Sequence, residues 1–158
     1  MKIIIETIPH KDQRYETCGD WYTDTNGSLR IKISEEMGER SAFAVAIHEL
    51  IEWFLCKERG ITEAMVDQFD FKYEEERSEG LRREHDDPGD DPHCPCHDEH
   101  QFATAIERRL MAHMLEKWSE HEKRVEALYQ PPRPVVTKKH QFAPTGDFGP
   151  TVAQGRPA

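Results

Sequence analysis

Ala42-Phe43-Ala44-Val45-Ala46-Ile47-His48-Glu49-Leu50-Ile51-Glu52-Trp53-Phe54-Leu55-Cys56 is apolar except at His48, Glu49 and Glu52. At about 100° per residue those three side chains share one arc of about 100°, and the remaining circumference is apolar. A helix apolar on most sides is expected to be buried. This one therefore carries an imidazole and two carboxylates into or beside a core. An ionised carboxylate left unpaired there costs, on Born estimates, up to tens of kcal/mol, so a proton, a cationic side chain or a metal must compensate. The helix should run from about Glu39 to Arg59, closed by Gly60 behind Lys57 and Arg59 in the last turn.

Upstream, Trp21-Tyr22-Thr23 and Leu29-Arg30-Ile31-Lys32-Ile33 flank Asn26-Gly27, a pair that favours positive φ at a hairpin tip. Leu29, Ile31 and Ile33 should face the core, with Arg30 and Lys32 toward water. Lys2 to Ile8 alternates weakly and suits a first strand. Downstream, Thr62 reads as the N-cap of a second helix reaching about Arg77, and the polar stretch Glu84–Pro92 as a loop. A third helix opens near Asp98 and runs to about Leu128, with Phe102, Ile106, Leu110 and Leu115 at helical spacing. The fold class is thus α+β: a small N-terminal antiparallel sheet packed on a central helix and a later long helix. Residues 1–128 form the domain. Residues 129–158, which hold six of the ten prolines, read as a disordered tail or extended arm.

Composition narrows the function. In 158 residues, 21 Lys and Arg stand against 31 Asp and Glu, a formal charge of −10. That acidity argues against a nucleic-acid partner, whose phosphates need clustered cations. No apolar run nears the roughly 20 residues of a membrane span, and the N-terminus lacks a signal peptide's apolar core. Cys18, Cys56, Cys94 and Cys96 do not form a disulfide pattern for a chain of this length, which points to a reducing cytoplasm. Cys56, in its apolar run, is a small buried hydrophobe.

His48 and Glu52, at i and i+4, can converge on one ion, while Glu49 points beside it, where a base acting on metal-bound water belongs. The plain alternative is a buried His–Glu hydrogen-bonded pair with Glu49 at a wet edge. A third ligand must come from elsewhere. In the third helix His100, Thr104 and Glu107 share a face, and the small Ala103 and Thr104 permit close packing. Glu107 is expected to hydrogen-bond rather than ligate. His93-Cys94-Pro95-Cys96-His97 is dense in soft ligands, but Cys94 and Cys96 make only an incomplete second zinc site without two further donors, for which His85, His93, His97 or a partner chain are the candidates. The acidic loop lacks the spacing of an EF-hand.

Hairpin, His-Glu helix and later ligand helix together resemble a minimal zincin metallopeptidase of the compact ImmA/IrrE type. The sequence is also similar to short uncharacterised phage and prophage proteins with a His-Glu-Leu-Ile-Glu helix. The likeness spans Asp20 to Leu115 in outline. It implies His48 as first zinc ligand, Glu49 as general base, Glu52 as second ligand and His100 as third, followed by the small pair Ala103-Thr104. Glu52 stands where the family has a histidine, and His100 where it has a carboxylate, so the set is still two His and one Glu. The resemblance implies metal-activated water attacking a peptide bond, with a peptide or protein as substrate or partner. It also implies Leu29–Ile33 as the substrate-binding edge; no transition-state stabiliser is identifiable in the sequence, with Tyr22, Tyr73 and His97 only candidates. Two other classes compete. One is a non-enzymatic phage or prophage protein with a structural metal or a buried His–Glu cluster. The other is a helical two-magnesium carboxylate protein, disfavoured by the hairpin and by the lack of paired Glu-x-x-Glu motifs.

Overall fold

The computed structural model describes residues 1–83 and 86–129. Three strands, β1 (Ile3–Ile8), β2 (Gly19–Thr23) and β3 (Leu29–Ser34), precede four helices: α1 (Glu39–Arg59), α2 (Glu63–Ser78), α3 (His97–His113) and α4 (Trp118–Glu126). The class is α+β, with a three-stranded sheet and four helices. The hairpin forms where Asn26-Gly27 places it. Gly27 takes φ 74°, and the Asp24 carboxylate accepts from the amides of Asn26 and Ser28 while holding Arg30 at 2.9 Å.

The sheet is mixed, not antiparallel throughout. Its order is β1-β3-β2, with β2 antiparallel and β1 parallel to β3. Strand β3 is therefore central and hydrogen-bonded on both sides, so Leu29–Ile33 offers no edge to a substrate strand. The outer strands are β1 and β2. Leu29, Ile31 and Ile33 are nevertheless buried as their period-two pattern requires, against Ala42, Val45, Ala46 and Trp53 of α1.

Helix α1 spans its expected residues and ends on Gly60 in the left-handed region, whose amide returns to Cys56 and Lys57. Thr62 caps α2 by accepting from the Met65 amide. The long third helix is two helices. At Leu115 the backbone turns to φ 60°, and the Glu116 amide reaches back to Met111, a Schellman-type end. Leu115 is consequently 92% exposed rather than part of the core. The face α3 buries is not its Phe102-Ile106-Leu110 stripe but Glu99, His100, Ala103, Glu107 and Met111.

Helices α1 and α3 make the most extensive contact between elements. They run antiparallel, since Arg40 meets Met114 and Glu116 at one end while Arg59 meets Glu99 at the other. Fully buried Ala103 lets the two backbones approach. Of the residues expected in the Pro-rich arm, Tyr129 is half-buried and closes the last 3₁₀ turn; the rest lie outside the described residues.

Candidate metal centre

The antiparallel pair stacks side chains in register. His48 of α1 faces Glu107 of α3, Glu52 faces His100, and Cys56 lies beside Cys96 where α3 begins. His48, Glu52 and His100 are brought together as expected. His100 Nδ1 lies 2.9 Å from Glu52 Oε2, His48 Nε2 is 3.3 Å from the same oxygen, and the two ring nitrogens are 3.2 Å apart. All three residues are buried. Among the described residues this is the one group of His, Cys, Asp or Glu whose ligand atoms converge closely enough to hold a metal.

The surrounding bonds decide what those atoms present to one another. His48 Nδ1 lies 3.0 Å from Glu107 Oε2, so its proton belongs there and Nε2 keeps a lone pair. His100 Nε2 faces Asp90 at 3.5 Å and Asp87 at 3.8 Å, while Nδ1 makes the shorter contact, 2.9 Å to Glu52 Oε2. Nδ1 donates there when the ring is cationic and offers a lone pair only once that proton is displaced. Two ring nitrogens and a carboxylate oxygen thus point at one small volume. With both nitrogens unprotonated, three acceptors so arranged repel unless a cation lies between them. Their separations of 2.9–3.3 Å are close to the edge of a tetrahedral zinc site, about 3.3 Å for bonds of 2.0–2.1 Å. Donor type and spacing therefore fit zinc.

Protons answer the same demand. Burial opposes the His48 imidazolium, but the hydrogen bonds to Glu107 and Glu52 outweigh it and push its pKa up to about 10. At His100 burial is again outweighed, here by Asp87, Asp90 and Glu52, and the pKa rises. With nitrogens only 3.2 Å apart, two protonated rings repel, whereas one dication satisfies both.

Three supports had no individual sequence signal. Trp21 Nε1 donates to Glu52 Oε1 at 3.1 Å, fixing the carboxylate so that Oε2 faces the histidines. His121 of α4 approaches Glu107 at 2.9 Å, extending a His121–Glu107–His48 chain of the kind that orients metal-bound imidazoles. Gly89, in a 3₁₀ turn at Pro88–Asp90, lies so close to the His100 ring that a β-carbon there would collide with it. The role expected of Glu107, hydrogen bonding rather than ligation, is the one it has.

Glu49 is buried rather than at a wet edge. It packs beneath Gly19 of β2, where a β-carbon would strike its carboxylate. Burial, reinforced by Glu52, pushes its pKa well above the ordinary carboxylate value. Glu49 lines the same cavity of about 440 Å³ as His48, Glu52 and His100, together with Asp70, Asp87, Asp90 and His121. Tyr22, Tyr73 and His97 do not line it. Tyr22 and Tyr73 lie under arginine side chains, and His97 Nδ1 meets the Gly89 carbonyl at 3.0 Å; Tyr15, Tyr129 and Arg108 are on the cavity wall instead.

At the expected second site Cys56 of α1 lies beside Cys96, but among the described residues these thiols do not converge with a third ligand as a metal-holding group. Cys94 and Cys96 are buried with their sulfurs 3.0 Å apart. His93 turns to Asp91 and His97 to Gly89, so neither histidine joins the thiols. His85, another possible donor, lies outside the described residues. No described helix is long and apolar enough to cross a membrane. Comparison with protein-family models, with curated proteins and with solved structures returns no match.

Proposed function

We propose that the chain is a one-zinc, zincin-like hydrolase acting on peptide bonds, with His48, Glu52 and His100 as ligands and Glu49 as general base. The observation that carries this reading is the convergence of His48 Nε2, His100 Nδ1 and Glu52 Oε2 in a cavity lined with further carboxylates. Zinc held there would supply a Lewis acid that acidifies water and polarises a carbonyl. Glu107 and His121 hold the His48 ring in one tautomer, and Trp21 holds Glu52. Glu49 carries the proton. Its burial raises its basicity toward neutral pH, which suits a group that takes a proton from water and returns it to a leaving amine. The carboxylates of the wall favour cationic segments of a peptide over acidic ones.

One observation favours a second reading, a non-enzymatic protein with a structural metal. Strand β3 is paired on both sides, so the peptide-binding edge expected of a zincin at Leu29–Ile33 is absent. Zinc content and peptidase activity of the native chain and of Glu49→Gln separate the two. The hydrolase reading expects one zinc in both proteins and turnover only in the native chain. Zinc in both with turnover in neither favours the structural metal. Undiminished cleavage by Glu49→Gln removes Glu49 from its role.

A further inference from the structure

The apolar sequence of α1 calls for burial nearly all round, yet one side of the helix is open. Phe43 is 52% exposed and Phe54 48%, and Ile47 and Leu50 between them are only half-buried. At about 100° per residue these four fall within an arc of about 60°, opposite His48 and Glu52, in a stripe about 16 Å long. Large apolar side chains gathered in a line on the surface mark a contact face.

We propose that this stripe is a two-fold contact between two copies of the chain, with α1 of one packed antiparallel on α1 of the other. The stripe is its own complement. Phe43 and Phe54 are equidistant from its centre, as are Ile47 and Leu50. Reversing the helix therefore lays Phe43 of one copy beside Phe54 of the other.

The flanking charges agree. Exposed Arg40 and Glu58 lie about 50° to one side of the stripe, and exposed Glu39 and Lys57 about 50° to the other. Within each pair the residues are about five helical turns apart, one at each end of the stripe. In a two-fold antiparallel contact each flank of one helix meets the same flank of its mate, running the other way. Arg40 then meets Glu58, and Glu39 meets Lys57, twice each. A parallel contact, or one shifted by a few residues, loses these matches. Arg40 also holds Glu116 at 2.8 Å, and Lys57 lies over the Trp53 ring. Both side chains are long enough to turn toward a neighbour from there.

Sedimentation velocity on the full chain, from micromolar to sub-millimolar concentration, tests this. A reversible dimer is expected. Phe54→Glu should leave a folded monomer with unchanged circular dichroism, the exposed site giving the fold no reason to fail. Glu58→Arg should weaken the dimer roughly tenfold by setting two pairs of like charges opposite each other, and adding Arg40→Glu should restore it. Both substitutions suit the helix dipole, so a loss of helix does not explain the weakening. A native chain that stays monomeric would give the face to another occupant, residues 130–158 included, and overturn the proposal. So would a dimer insensitive to Phe54→Glu, or one that Arg40→Glu fails to restore in the Glu58→Arg background.

Discussion

His48 shows how much of the site a single residue carries. One ring nitrogen is committed to Glu107, and that frees the other for an ion. Glu107→Gln keeps the shape but weakens the acceptor that orients the ring. Zinc affinity, measured against a competing chelator, should fall about 10- to 100-fold while the fold persists. Asp70 makes a different kind of prediction. Its burial, aided by Asp87 and Glu52, pushes the carboxyl from 3.8 up to about 7, with the hydrogen bond from Tyr15 opposing. Between those values the folded chain holds a proton that the unfolded chain releases. Stability therefore falls as pH rises through the window and is flat above it. Asp70→Asn, which can still accept from Tyr15, should be more stable than the native chain at pH 8 by on the order of 1–3 kcal/mol in urea, and no more stable at pH 4.

Elements were legible where local chemistry fixes them and obscure where distant parts decide. The hairpin follows from Asn26-Gly27, α1 from its Gly60 stop and continuous apolar run, and α2 from Thr62. Pairing of β1 with β3 is parallel and long-range, and no turn residue announces it. The end of α3 was hidden because Met114-Leu115-Glu116-Lys117 contains no Gly, Asn or Pro, and Leu115 takes the left-handed conformation unaided. That conformation costs a side-chain-bearing residue roughly 1–2 kcal/mol, so Leu115→Gly should raise the urea midpoint rather than lower it. Hydrophobicity alone does not mark the buried face of α3; the face of His100 and Glu107, with the small Ala103 between them, is the one packed on α1. Phe102 is exposed and Ile106 and Leu110 are half-buried, while the buried face carries Glu99, His100 and Glu107, polar residues whose burial a partner helix explains. His121 was missed for the same reason: its role exists only once α4 folds back on α3. Gly89 bears on His100 through space alone, and Gly89→Ala should displace the ring and lower zinc affinity without unfolding α3.

For the whole molecule, the distribution of charge matters more than its sum. A chain of net charge −10 gathers buried carboxylates from α1 and α3 around two histidines. A bound cation relieves their repulsion in the folded state only. Zinc should therefore raise the melting temperature in proportion to the logarithm of its free concentration, and a chelator should reverse the rise. Acid should release the metal, since protons compete for His48 and His100, whose affinity for them is raised. Zinc-edge X-ray absorption on the purified protein tests the centre most directly. Two imidazoles and oxygen donors around one zinc per chain is the expected shell, lost in His100→Ala. A shell containing sulfur, or zinc bound unchanged when His100 is gone, would contradict it.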